Sequence, residues 1–302
     1  MEGSSMRIMR IDLSPDELPA IDTVSAFNQA KIRRDLDFVH ILLENKQDFV
    51  LGSNPHQVSY FILGSGEKDG EEYVDVEESW AYTANPYYSV ERVRYYLFKE
   101  NNHYLIKRTV SMGKTTIYED VDGSIKSEKE DGQIVSLFTK DDLPKELLPK
   151  GDYRIASLVW VEKESSLLFT LQVLQDPNHQ QKAAVKVVRY SHTNQSFELI
   201  DEITSMDGFE NIGVGGLTVS PNGQYVALDL FSDEQPSYQN QVNVLNLATK
   251  EKTWMQKQVN QTLTDATHMY YWEGNNMHFM LTSFEQTLHY QWAADKKKLS
   301  LP

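Results

Sequence analysis

Apolar positions recur along this 302-residue chain with two different periods. From Val24 through Phe27, Ile32, Leu36 and Val39 to Leu43 the steps are mostly of three and four residues. That spacing predicts one amphipathic helix, opening near Asp22 or Thr23 and ending between Asn45 and Gln47. Lys31, Arg33, Arg34, Asp35 and Asp37 fill much of its other face. Beyond it the period shortens to two. His56 to Gly64, Tyr73 to Tyr82 and Val90 to Phe98 read as strands, with the acidic stretch Gly66 to Glu72 as a turn. Lys99 to Asn102 turns the chain back into a further strand, His103 to Val110. This last pair is a predicted hairpin with Tyr, Phe, Leu and Ile for a buried face and Arg92, Arg94, Lys107 and Arg108 in water. A helix ahead of so many strands is expected to pack across a sheet, so Leu36→Asp should bury an unpaired charge and unfold that part of the chain.

The second half repeats itself. Three units share the form strand, tight turn, strand, polar loop, strand, turn, strand. Aligned on Trp160, Val219 and Trp272, they are spaced by 59 and 53 residues. A four-strand period of that length is that of a propeller blade. The clearest piece, LTVSPNGQYVAL from Leu217 to Leu228, turns at Pro221-Asn222-Gly223. Three blades do not close a ring. Either they form an open module, or the template extends upstream through YLFKENNHYLI with TTIYEDVDGSI and through HILLENKQDFVLGS. The second case makes the whole chain one five-bladed propeller and removes the helix. The fold class read from these patterns is mainly β (α+β): an N-terminal helix packed on an antiparallel sheet, then a blade-like antiparallel module. The domains are an irregular leader at 1–20, a helix-plus-sheet domain at 21–142 and a β-rich module at 151–302. The two-proline stretch from Leu143 to Gly151 is their boundary.

Composition narrows the function classes. Hydrophobic residues make up 40% of the chain, enough for a packed core. The net charge of −15 disfavours nucleic acid and anionic membrane surfaces. There is no cysteine, which removes disulfides, thiol catalysis and cysteine-type zinc sites. The apolar run Val39 to Leu43 is too short to span a membrane. The opening MEGSSM is small and polar and reads as a remnant of tagging.

Three pieces of the first half resemble the minor pseudopilins of the type II secretion J-subunit kind and related type IV minor pilins. These are AFNQAKIRRDLDFV, SWAYTANPYYS and VERVRYYLFKENNHYLIKR. The family's N-terminal hydrophobic helix is missing. The resemblance implies a non-enzymatic filament component at the cell surface, with other pilin or pseudopilin subunits as partners. It assigns assembly to Phe27, Ile32, Arg34, Asp35 and Leu36, and any membrane contact to an N-terminal anchor. The blade-like half is similar to TolB-like and WD-type propellers. It would present its loops to a surface glycan or protein. The alternative to the filament component is a propeller binding scaffold, soluble or of lipoprotein type.

Candidate chemistry is sparse. No G-x-S-x-G, P-loop, H-E-x-x-H or G-x-G-x-x-G motif occurs, so no catalytic residue is assigned and the reading is of a non-enzyme, with a propeller-type hydrolase as a remoter option. Asp120, Asp122 and Ser124 alternate as calcium ligands do, but Gly123 stands where an EF-hand loop does not want it. A solvated turn is the plainer reading, and no cofactor or metal is assigned. His268 and His278 could meet across a hairpin as a metal pair. The loop residues Asp229, Asp233 and Glu234 are the best polar rim for a ligand. Tyr271 and Trp272 offer either a ligand contact or core packing.

Overall fold

The computed structural model describes residues 19–46, 49–83, 85–148, 152–174, 184–206, 211–232, 239–259, 266–282 and 287–301. Two helices come first, α1 (Ala20–Arg33) and α2 (Leu36–Ile41). A six-stranded antiparallel sheet follows: β1 (His56–Lys68), β2 (Glu71–Ala81), β3 (Tyr87–Glu100), β4 (His103–Glu119), β5 (Ser124–Lys129) and β6 (Ile134–Thr139). Three four-stranded sheets complete the chain. They are β7 (Tyr153–Val161) to β10 (Ser196–Ile203), with β8 (Ser166–Val173) and β9 (Val185–Ser191) between; β11 (Gly213–Val219), β12 (Tyr225–Ser232), β13 (Gln239–Asn246) and β14 (Lys252–Trp254); and β15 (Ala266–Glu273), β16 (Asn276–Thr282), β17 (Thr287–Ala293) and β18 (Lys298–Ser300). In every sheet the strands neighbour one another in chain order.

The chain divides into two compact units. The first comprises Met1–Leu51, Ile62–Glu77 and Arg92–Met112; the second holds Gly52–Phe61, Glu78–Glu91 and Gly113–Pro302. The expected boundary at Leu143 to Gly151 lies inside the second unit, where Leu143 and Leu147 share a core with Phe138, Ile155 and Phe169.

In the first unit the predicted single helix is two. α1 ends in a Schellman arrangement: the Asp35 N–H donates to the Ala30 carbonyl at 3.0 Å and the Arg34 N–H to that of Lys31 at 3.1 Å. Arg34 takes the left-handed conformation, φ 59°, that glycine usually fills there. Asp35 then caps α2 by accepting the Phe38 N–H at 3.1 Å. The arginine-aspartate-leucine pattern that carried the pilin resemblance is therefore a helix stop and restart. Phe27 is buried, edge-on to Phe49 at 5.5 Å and Tyr95 at 5.8 Å, and the buried Lys31 ammonium donates to the Tyr95 hydroxyl at 2.9 Å. Ile32 is half-buried, and Arg34, Asp35 and Leu36 are exposed, Leu36 at 44%. Burying a charge at Leu36 is therefore not the consequence of Leu36→Asp. Leu43 makes a parallel bridge to Ile106 on β4.

The second unit is a four-bladed propeller arrangement. Phe138 of β6 meets Phe169, Tyr190 and Phe197 of the second sheet at 5.2, 4.9 and 5.2 Å. β11 packs on β7 and β8, and β15 on β12 and β13. Tyr60 of β1 lies 6.1 Å from Tyr271 of β15 and joins the last sheet to the first. The three units read from the second half are the last three blades. The upstream extension gives one blade and not two, because HILLENKQDFVLGS holds α2 and the segment that bridges β4. β7 and β8 are buried along nearly their whole length, while β10 is mostly exposed or half-buried. Strands with sheets on both faces lose the period of two.

Candidate binding surface

The strands of the first sheet are long. β1 to β4 have 13, 11, 14 and 17 residues, whereas among the described residues no strand of the other sheets exceeds 9. Their added length belongs to the first unit. Two tight hairpins shape it, at Asp69-Gly70 (φ 55° and 78°) and Asn101-Asn102 (φ 46° and 74°), as primed turns require.

Across β2, β3 and β4 runs a ladder of arginines, tyrosines and carboxylates. Arg94 grips Asp75 with both arms of its fork, Nε to Oδ1 at 2.7 Å and Nη2 to Oδ2 at 2.8 Å. Its guanidinium carbon stands 3.8 Å over the Tyr73 ring. Asp75 above all holds Arg94 charged beyond its already high basicity. Arg108 stacks on Tyr96 at 3.4 Å, and it and Lys107 share the Glu71 carboxylate at 2.5 and 2.8 Å. Those two cations, Lys107 first, hold the Glu71 carboxyl below its ordinary range. The Tyr104 phenol donates to Glu72 at 2.7 Å, which raises its pKa and makes it a weaker acid. Arg92 reaches Glu77 at 3.3 Å. Arg94, expected in water, is 15% exposed: an arginine sandwiched by a ring and paired bidentately loses little by leaving solvent. The signal was present in the sequence. Tyr73, Asp75 and Glu77 step by two along β2 opposite Tyr96, Arg94 and Arg92 along β3, which is an antiparallel complementary set.

These groups satisfy one another, so the ladder supplies stiffness and not a free acid or base. On β1, β3 and β4, Leu63, Phe98, Val110 and Met112 are exposed at 46, 40, 39 and 53%. A stiff sheet with apolar side chains in water is suited to contact.

The residues singled out in the sequence lie elsewhere. Asp229 is half-buried on β12, paired in register with Gly216 and Val242. Asp233 and Glu234 lie outside the described residues. Tyr271 and Trp272 are both fully buried although adjacent in a strand. Tyr271 faces the first blade through Tyr60 and stacks on His278 at 4.4 Å, while Trp272 faces the third, donating to the Thr218 hydroxyl at 3.0 Å and stacking on Tyr225. His268 registers opposite Met280 and His278 opposite Tyr271, so the two histidines are not cross-strand partners. His278 lies 3.2 Å from Glu273. At the Asp120–Ser124 turn the positive charge is the protein's own: the Lys126 ammonium sits on Asp120 and 3.5 Å from Asp122. Lys126 holds Asp120, and Ser124 holds Asp122, below the carboxylate range. Among the described residues no group of three or more His, Cys, Asp or Glu side chains could hold a metal ion, and no helix is long and apolar enough to cross a membrane.

No protein-family model matches the chain, and no curated protein sequence does. Solved structures do. TolB from Acinetobacter baumannii is 10% identical with a TM-score of 0.37, covering 73% of this chain and 55% of its own. A putative TolB from Agrobacterium tumefaciens is 10% identical with a TM-score of 0.37, covering 78% and 82%. The periplasmic gluconolactonase of Pseudomonas aeruginosa is 10% identical with a TM-score of 0.34, covering 85% and 86%. The chain spans about half the length of the Acinetobacter protein. At scores of this level the β-propeller class rests on the sheets and inter-blade contacts of this chain itself. The protein is thus a mainly-β molecule whose second unit is a propeller of four blades.

Proposed function

We propose that the chain is a non-catalytic binding scaffold whose ligand is a protein. One observation carries this reading: β1 to β4 run past the length that a blade uses, and the added length holds exposed apolar side chains on a ladder-stiffened sheet. Protein ligands favour such sites over glycans, which want exposed aromatic faces, and Tyr271 and Trp272 are packed away. The filament reading loses support because its helix is interrupted at Arg34 and the strands that carried the resemblance continue into a blade.

The test is selection on the intact, immobilised chain with a random peptide display library and a glycan array in parallel. Enrichment of peptides, with no glycan retained, is the expected result. Retention of glycans alone, or turnover of chromogenic glycosides that tracks the purified chain, would overturn it.

A further inference from the structure

The outer edge of β1 stands out within the first unit. β1 is the terminal strand of its sheet, paired to β2 alone. From Ile62 to Lys68 it is half-buried at its first residue and exposed at all the others. Among the described residues, no further backbone hydrogen bond reaches this edge. Natural edges of this length are usually blunted by proline or by charge spread along the strand. Here the stretch Ile62-Leu63-Gly64-Ser65-Gly66 has neither, and charge begins only at Glu67 and Lys68.

The glycines add a second observation. Neither Gly64 nor Gly66 has a positive φ, so no turn asks for them. A Cβ on Gly66 would meet the Tyr73 hydroxyl at 2.8 Å, which explains that position by the ladder. A Cβ on Gly64 would meet nothing within 4 Å. Glycine weakens a strand, and close approach of another backbone is one of the uses it serves where neither a turn nor packing requires it.

Charge says what approaches. Glu67 and Asp69 are exposed and, among the described residues, neither is held by an ion pair, while Glu71 is taken by Lys107 and Arg108. The edge thus runs from the apolar Leu63 to an acidic end at Glu67 and Asp69, with Lys68 between them. A second copy of a chain with net charge −15 brings like charge to that end. We infer that the Ile62–Lys68 edge of β1 accepts, as an added strand, an extended segment of a partner protein. That segment is apolar opposite Leu63 and basic opposite Glu67 and Asp69. This rests on the binding-scaffold reading and names its site and partner chemistry.

The experiment uses the intact chain and the peptides selected from the display library, resynthesised with a fluorescent label. Bound peptide should slow amide exchange across residues 62–68. N-methylation of alternate peptide amides should abolish binding, and the double variant Glu67→Lys, Asp69→Lys should weaken it about tenfold, as reversal of two exposed charge contacts does. Both side chains are exposed, but Asp69 also sits at positive φ in the hairpin, so Glu67→Lys alone, whose melting temperature should match the wild type, serves as the control and should weaken binding in the same direction. Peptides that bind the double variant and the wild type alike, or protect other strands, would overturn this inference and leave the scaffold reading standing. A library that yields no peptide would remove both. Concentration-dependent dimerisation that is lost in the double variant would make the occupant a second copy and overturn the partner named here.

Discussion

At Phe27 and Leu36 two apolar residues of one predicted stripe part company. Phe27 is 3% exposed among Phe49, Tyr95 and the ammonium of Lys31, and Leu36 opens α2 in water. Phe27→Ala should cost about 3–5 kcal/mol in urea unfolding, the price of a large cavity. Leu36→Asp should stay within about 0.5 kcal/mol of the wild type in the same measurement. Asp120 and Asp122 make a second case. Both carboxyls are depressed in the folded chain, so the stability they contribute is present above the unfolded carboxylate pKa and lost as the pH falls through their lowered folded values. Asp120→Asn should lower the melting temperature at neutral pH, and the gap to the wild type should close as the pH falls well below about 4.

Among the elements, the break between α1 and α2 shows how much one capping side chain decides. The stripe of apolar residues continues through it, so periodicity alone runs the helices together. Arg34 hides the stop, because a Schellman turn ordinarily announces itself by glycine. Asp35→Ala should destabilise the first unit by about 1 kcal/mol by removing the acceptor for the Phe38 N–H, measured by urea titration. In the hairpins the reverse holds. Asp69-Gly70 and Asn101-Asn102 are turn residues that local chemistry makes legible, but β1 and β2 run into the acidic stretch read as a turn, and Tyr95, Tyr96 and Leu97 on β3 are buried in succession.

For the whole second unit, the propeller is joined from last blade to first by Tyr60 against Tyr271, and from third to fourth by Thr218 with Trp272. Tyr60→Ala should lower stability by about 3 kcal/mol, as loss of a buried aromatic does, and speed amide exchange in β15 and residues 56–61 more than in β7 to β9. Thr218→Val keeps the shape but leaves the Trp272 indole N–H without that acceptor, at about 1–3 kcal/mol in thermal unfolding. If Tyr60→Ala left exchange in β15 unchanged, the first and last blades would not be held by that contact.

The sequence by itself determined the local parts: the period-two strands, their turns, the recurring blade unit of the second half and the absence of motif chemistry. Each follows from interactions between residues near one another in the chain, where side-chain alternation and turn residues act directly. Only the tertiary structure decided how many blades there are, which face of each is dry and which side chains of the first sheet stay exposed. Trp272 and Tyr271 are adjacent and both buried because a different sheet covers each face of β15, and no alternation records that. Arg94 looks like a surface charge until β2 lies beside β3, and Asp75 and Tyr73 close around it. Burial and pairing of this kind depend on which strands and sheets become neighbours, and no single short stretch of the chain fixes that.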